Sequence, residues 1–369
     1  DLESLTDFPV INKNMIRENM SSFLSSEFER MKLHTVTTSG STGTPFTVYQ
    51  DRKKRLRHLA DSIYFLKKAG FLIGERLYYL RVWNAINKKN FVECFTENLV
   101  MEEISNLSAS WTKKLINRLQ HDLSAKALLA YSSTYEALVV NLVTLGITEQ
   151  DVHLKAIISM SESLSEPARQ RLGEIFKCPV FLRYSNMENG FLGQQISGNS
   201  KQYQINLASY HVELLDVARD VPVKAGERGR VVVTDLFNRA MPLIRYDTGD
   251  IAVMSQAGLA FEDVEGRATD FIYSTAGSLI SPHAITNLMW KYSELKQFQF
   301  VQTAEKKYLL KLNPEKKFQR AKELMDEFKQ YLGVDANIEI EFVEEIPQLA
   351  SGKRKKIVNL YRSLDRIKG

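Results

Sequence analysis

Up to about residue 200, short apolar runs alternate with amphipathic stretches of helical period. This pattern predicts a helix over Asn14–Met31, strands over His34–Thr38 and Phe46–Gln50, and a helix from an Asp51 N-cap to Ala69. Arg76–Val82 reads as a strand and Trp111–His121 as a helix. Next come strand Ala125–Tyr131, helix Ser133–Leu145, strand Lys155–Met160, helix Ser165–Phe176 and strand Val180–Tyr184. Such alternation predicts βαβ units on a buried parallel sheet. After Tyr203 the pattern changes: His211–Asp216 and Arg230–Leu236 are strand-like, with no long helix before Pro282, which predicts an antiparallel or barrel-like portion. A helix after Ser281, a hairpin over Phe298–Asn313, a helix over Glu315–Leu332 and a strand over Asn337–Val343 make a compact α+β unit. No repeat of fixed period is present.

The predicted class is therefore α/β. A large multi-layer N-terminal domain, residues 1–268, combines a mainly parallel sheet with the barrel-like portion; a small α+β C-terminal domain covers residues 269–369. With 369 residues, 44% apolar and 25% charged, the composition excludes disorder and collagen. No apolar run is long enough to span a membrane. Two cysteines, Cys94 and Cys178, cannot form a disulfide framework or a four-thiolate zinc site, and suit a reducing cytoplasm. The chain begins at Asp1, without Met, and is expected to have further residues upstream. The oligomeric state is not set by the sequence.

Charge changes this picture. Residues 1–270 hold 32 basic and 32 acidic side chains, and residues 271–369 hold 17 and 12, so the net +5 lies wholly in the last part. Much of it is the run Lys353-Arg354-Lys355-Lys356. The run is short and lacks interleaved aromatic residues, which argues against a nucleic-acid partner. A solvated tail and a mobile cation that meets a phosphate ligand both remain open.

The first chemically informative stretch is Thr37-Thr38-Ser39-Gly40-Ser41-Thr42-Gly43-Thr44-Pro45. Glycines let backbone N–H groups approach an anion, and hydroxyls donate to phosphate oxygens without fixed charge. A flexible turn is the plainer alternative. It is not a P-loop: Gly40 and Gly43 are too close together and no lysine follows Gly43.

Further on stand Tyr184-Ser185-Asn186-Met187-Glu188, Pro242–Asp250, Gly266-Arg267-Ala268-Thr269-Asp270 and Ser351-Gly352-Lys353. Together with the loop at 37–45, this ordered set resembles the adenylate-forming superfamily of acyl-CoA synthetases, adenylation domains and luciferases. With Phe8-Pro9-Val10-Ile11-Asn12-Lys13, it looks most like the branch of phenylacetate–CoA ligases and the CapK-type proteins of capsule gene clusters.

That resemblance implies an ATP- and Mg²⁺-dependent ligase that joins a small carboxylic acid to AMP, then passes the acyl group to CoA. An amine or hydroxyl acceptor is the alternative, and a non-catalytic nucleotide-binding module or a kinase-like ATPase are rival readings. It implies that Ser39, Gly40, Ser41, Thr42 and Gly43 cradle the β- and γ-phosphates, and that Glu188 ligates Mg²⁺. Tyr184 would stack on adenine beside Ser185 and Asn186; Asp250 would accept the ribose hydroxyls; Arg267 would reach the ribose or phosphate. Lys353 would be the catalytic adenylation lysine, carried in and out by the mobile C-terminal domain. Tyr131, Ser132, Ser161 and Arg183, at predicted strand ends, would line the acyl and adenine pockets, with Trp83 and Tyr135 as weaker candidates.

The sequence also departs from the family pattern. Met187 stands where a hydroxyl residue usually contacts the α-phosphate, a role open to Ser185 or Asn186. Thr269 stands where the hinge often carries an acidic residue, and Phe46 where many relatives have lysine.

Overall fold

The computed structural model describes residues 2–38, 46–83, 88–104, 107–161, 164–198, 200–267, 271–280, 282–289, 291–292, 294–347 and 354–361. The chain divides into two compact units: residues 1–75, 155–161 and 181–264 form one, and residues 76–154, 162–180 and 265–369 the other.

In the first unit, strands follow the spatial order Tyr210–Leu215, Arg228–Asp235, Tyr246–Met254, Ala260–Arg267, Tyr203–Ile205, Gly190–Gln195, Val180–Asn186 and Leu154–Met160. The pairings from Tyr210–Leu215 to Tyr246–Met254 are antiparallel, as expected for the stretch after Tyr203. Val180–Asn186 and Gly190–Gln195 form a hairpin, with Asn186 opposite Gly190. A separate hairpin pairs His34–Thr38 with Phe46–Gln50, Thr38 facing Phe46. Helix Arg52–Lys68 starts where the sequence places it, because the Asp51 carboxylate accepts the Lys54 backbone N–H at 2.7 Å.

The helix expected over Asn14–Met31 is broken. Helices Lys13–Glu18 and Met20–Phe23 are followed by a 3₁₀ turn, Ser26–Phe28. Asn19 leaves the helical region, with φ −129° and ψ 34°. Ser25 N–H donates to Ala240 C=O at 2.9 Å, a tertiary bond that takes the place of helical continuation.

In the second unit, strand Arg76–Arg81 lies between Leu99–Glu103 and Lys126–Tyr131, parallel to both. Helices Ala109–His121, Ser132–Thr144 and Glu166–Phe176 belong to the same unit. Its C-terminal part is a four-stranded sheet in the order Asn337–Phe342, Lys307–Pro314, Leu295–Ala304, Ile357–Asn359. Helices Pro282–Met289 and Ala321–Leu332 bury Leu288, Leu324 and Phe328 against it, and Phe328 stacks on Phe300 at 4.7 Å. Each such side chain contributes about 1.5–3 kcal/mol by leaving water. The helix expected from Glu315 starts only at Ala321, since Glu315 N–H instead donates to Glu294 C=O at 2.8 Å.

Candidate functional site

The site grows from the turn that joins strands Val180–Asn186 and Gly190–Gln195. Hairpin tips are normally solvent-exposed, yet Glu188 at this tip is 2% exposed. Asn186 Oδ1 accepts the Asn189 backbone N–H at 2.7 Å and closes the turn. Gly190 leaves it at φ +106°, and a Cβ there would lie 2.8 Å from the His58 ring, so the position needs glycine twice over. Behind the turn, Tyr210 Oη donates to Asn189 C=O, and Lys54 Nζ reaches Tyr210 Oη at 2.9 Å and Asp235 Oδ2 at 2.6 Å. Gln50 Nε2 donates to Glu188 C=O at 3.3 Å.

Among the described residues, two partners meet the Glu188 carboxylate. Tyr246 Oη donates to Oε1 at 3.2 Å, and Lys13 Nζ forms an ion pair with the same oxygen. Lys13 is brought there by the segment that precedes it. Ile11 N–H donates to Arg245 C=O at 3.0 Å, and Asp247 N–H donates to Ile11 C=O at 2.8 Å. Asn12 then caps the helix through Asn14 N–H at 2.9 Å and Met15 N–H at 3.1 Å. Lys13 thus starts the helix, and Arg17 follows one turn later on the same face. Both cations lie over the Phe46 ring, at 5.6 and 5.7 Å from its centroid. Burial, then the Glu188 carboxylate, push the Tyr246 phenol well above its ordinary value, so it remains a donor.

A second phenol–carboxylate pair sits on the same strands. Tyr184 Oη donates to Asp250 Oδ2 at 2.8 Å and lies 3.3 Å from Thr248 Oγ1. Thr248 donates to Val231 C=O at 3.0 Å and accepts Asp250 N–H at 3.2 Å. The Tyr184 ring is buried edge-on to Phe261, with centroids 5.7 Å apart. Burial and then Asp250 hold this phenol well above its usual range as well.

The other expected residues fall as follows. Ser185 and Asn186 end the Val180–Asn186 strand, half-buried. Ser161, exposed at the end of strand Leu154–Met160, holds a left-handed φ of +68°, a strained conformation for a residue other than glycine. Arg183 is 6% exposed; its Nε donates to Gln194 Oε1 at 2.7 Å and its guanidinium stacks over Phe191 at 4.3 Å. Tyr131 and Ser132, both buried, belong to the second unit. Ser39, Gly40, Ser41, Thr42, Gly43 and Lys353 lie outside the described residues, as does the Arg267 side chain. Met187 is 57% exposed at the turn.

Sequence reasoning missed Lys13, Tyr246 and the Lys54–Asp235–Tyr210 cluster as site residues. The available signal was the Asn12 cap followed by two cations at helical spacing, and Tyr246 inside the Pro242–Asp250 segment; nothing local marks Lys54, Asp235 or Tyr210.

Among the described residues, no three His, Cys, Asp or Glu side chains form a metal-binding group. A buried carboxylate whose partners are a cation and a phenol nevertheless suits a hard divalent ion, which one carboxylate commonly holds together with substrate phosphates. A broad groove in the second unit is lined by Arg76, Lys114, Arg118, His121 and Asp122, none of them expected site residues. Arg76 and Arg118 are already paired there with Asp122 and Glu102. No described helix is long and apolar enough to cross a membrane.

Known proteins share sequence and fold with this chain. The family model of the CapK C-terminal domain matches residues 272–360. Protein CapK of Staphylococcus aureus is 23% identical over 96% of this chain and 80% of its own length. Phenylacetate-coenzyme A ligase of Aromatoleum evansii is 24% identical over 41% of this chain and 38% of its own. Among solved structures, a 2-hydroxyisobutyryl-CoA ligase in the postadenylation state with R3-HIB-AMP superposes with a TM-score of 0.68. The two share 17% identity over 95% of this chain and 80% of that one. The chain is thus homologous to CapK and to phenylacetate-coenzyme A ligase, with a CapK C-terminal domain and the fold of the adenylate-forming acyl-CoA ligases.

Proposed function

We propose that this chain activates a carboxylic acid with ATP and transfers the acyl group to CoA. In the first step a carboxylate oxygen of the acid attacks the α-phosphorus, the bond to the bridging oxygen breaks, and pyrophosphate leaves with its electron pair. In the second, the acceptor sulfur attacks the acyl carbonyl and AMP leaves. The observation that carries the reading is a reciprocal one: Tyr184 donates to Asp250, while Tyr246 donates to Glu188. Two segments some 60 residues apart in sequence are thereby locked, each supplying one carboxylate and one phenol.

Within this reading, Glu188 is the magnesium ligand, and the ion supplies charge neutralisation on the phosphates. Asp250 takes the ribose hydroxyls, as a carboxylate suits a vicinal diol. Tyr184, Ser185 and Asn186 flank the adenine, and Ser39–Gly43 hold the outer phosphates through N–H and hydroxyl groups. Arg267 and Lys353 place positive charge on the phosphate and the reacting carboxylate, Lys353 moving with residues 269–369 as the small mobile domain. Tyr131, Ser132, Ser161 and Arg183 shape the acyl side. Transfer to an amine or hydroxyl is the second reading.

The test is carboxylate-dependent ATP–pyrophosphate exchange over a panel of aryl, fatty and amino acids. The expected products are AMP and pyrophosphate, with one acid class strongly preferred. Release of ADP and phosphate, or exchange with no acid at all, would overturn the reading.

A further inference from the structure

The segment ending at Lys13 sets a lysine ammonium against the Glu188 carboxylate. Glu188 is a buried carboxylate, its side chain 3% exposed, and Lys13 pairs with Oε1, the oxygen that also accepts from Tyr246, so its ammonium stands against any divalent ion on this carboxylate. A carboxylate at such burial without a counter-charge is strongly unfavourable. Among the described residues Lys13 is the cation paired with this carboxylate, which needs a different one when it binds metal.

We propose that Lys13 is the resting counter-ion of Glu188, displaced by the divalent cation only when nucleotide phosphates are there to take the released ammonium. This inference rests on the adenylate-forming reading of the site.

Three features of the structure support an exchange over a fixed structural bridge. The Lys13 side chain keeps 25% of its surface exposed, so it can swing while Glu188 cannot. The Phe46 face lies 5.6 Å from the paired ammonium, a cation–π contact that does not depend on Glu188. Phe46 is also the first residue after the 39–45 segment, and Arg17 sits over the same ring, so the ammonium moves into a region that already holds positive charge and favours an incoming polyanion. Lysine is suited to this role. Its ammonium makes point contacts, whereas arginine would grip the carboxylate with two parallel hydrogen bonds.

The experiment is titration of the full chain with Mn²⁺, followed by electron paramagnetic resonance, with and without ATP and with no acid present. Thermal melting of each variant confirms folding. Wild type is expected to bind Mn²⁺ weakly alone and at least tenfold more tightly with ATP. Lys13→Met keeps the stem on Phe46 but removes the charge, and is expected to bind Mn²⁺ alone at least tenfold more tightly than wild type. It should also lose most of the gain from ATP. Adding Glu188→Gln to Lys13→Met should abolish the new affinity. Lys13→Arg should bind Mn²⁺ alone more weakly than wild type, which supplies the test if Lys13→Met fails to fold.

Unchanged or weaker Mn²⁺ affinity in Lys13→Met, or wild-type affinity in Lys13→Arg, would overturn the proposal. No acid is present in these titrations. A chain that fails the pyrophosphate-exchange assay but shows this pattern refutes adenylation and leaves the counter-ion exchange standing.

Discussion

Tyr184 and Asp250 are 66 residues apart in sequence, and their phenol and carboxylate meet at 2.8 Å. Strand Val180–Asn186 supplies one and strand Tyr246–Met254 the other. The bond holds Asp250 in one orientation before any ligand arrives, a form of preorganisation that reduces what binding must order.

Tyr184→Phe removes that orientation and leaves the apolar ring packing with Phe261 intact. Binding of ATP is expected to weaken by about tenfold, the value of one hydrogen bond to a charged group at ~1.5 kcal/mol. Asp250→Ala should weaken it further. Isothermal titration with ATP reads both effects, and equal affinity for wild type and Tyr184→Phe would show that Asp250 needs no such support.

The Lys54–Asp235 pair is fully buried, and burial is the largest influence on Lys54, drawing its pKa below the usual value. Lys54→Met leaves Asp235 buried without its cation and is expected to cost ~3–5 kcal/mol. The double variant Lys54→Met with Asp235→Asn, which removes the charge but keeps an oxygen for the Phe237 and Asn238 N–H groups, should recover part of that loss. Denaturant midpoints at unchanged slope provide the measurement.

His58 is held neutral: burial, then the neighbouring Arg55 and Lys54, lower its pKa to about 4 from 6.5. Between these values the unfolded chain takes up a proton that the folded chain refuses. Stability contributed by His58 is therefore present above pH 6.5 and lost as the pH falls toward 4, with a slope of up to ~1.4 kcal/mol per pH unit. Unfolding free energies measured from pH 7 to 4 should show the decline, and His58→Gln should flatten it.

Lys353→Ala is expected to lower acid-dependent pyrophosphate exchange by at least ~10²-fold, the usual loss when one preorganised positive or donor group is withdrawn from a charged transition state. ATP binding should stay within about threefold of wild type. A parallel fall in ATP affinity would assign Lys353 to ground-state binding instead.

Much of the backbone was legible because its signals are local. The Asp51 cap and the helix it begins need only neighbouring residues, and strand Lys126–Tyr131 announces itself by a run of Ala and Leu. Strand Gly190–Gln195 gave no such signal. It is buried along its whole length, yet it contains two glycines and two glutamines. Its polar side chains are tolerated because Gln194 donates to Phe65 C=O at 2.8 Å and Gln195 to Lys201 C=O at 3.2 Å, partners that no reading of the strand itself can supply. The break at Asn19 is similar, since the competing acceptor for Ser25 is the carbonyl of Ala240.

The sequence by itself determined which chemistry-bearing residue types stand in which order: Glu188 after a strand, Asp250 in its turn-rich phrase, a hydroxyl- and glycine-rich stretch between two strands. These follow from composition and short-range spacing. Only the tertiary structure decided that Lys13 answers Glu188 from 175 positions away and that each carboxylate is held by a tyrosine from the other segment. A buried charge must find an opposite charge or a donor wherever the fold brings one within reach, and that reach is a property of packing in three dimensions.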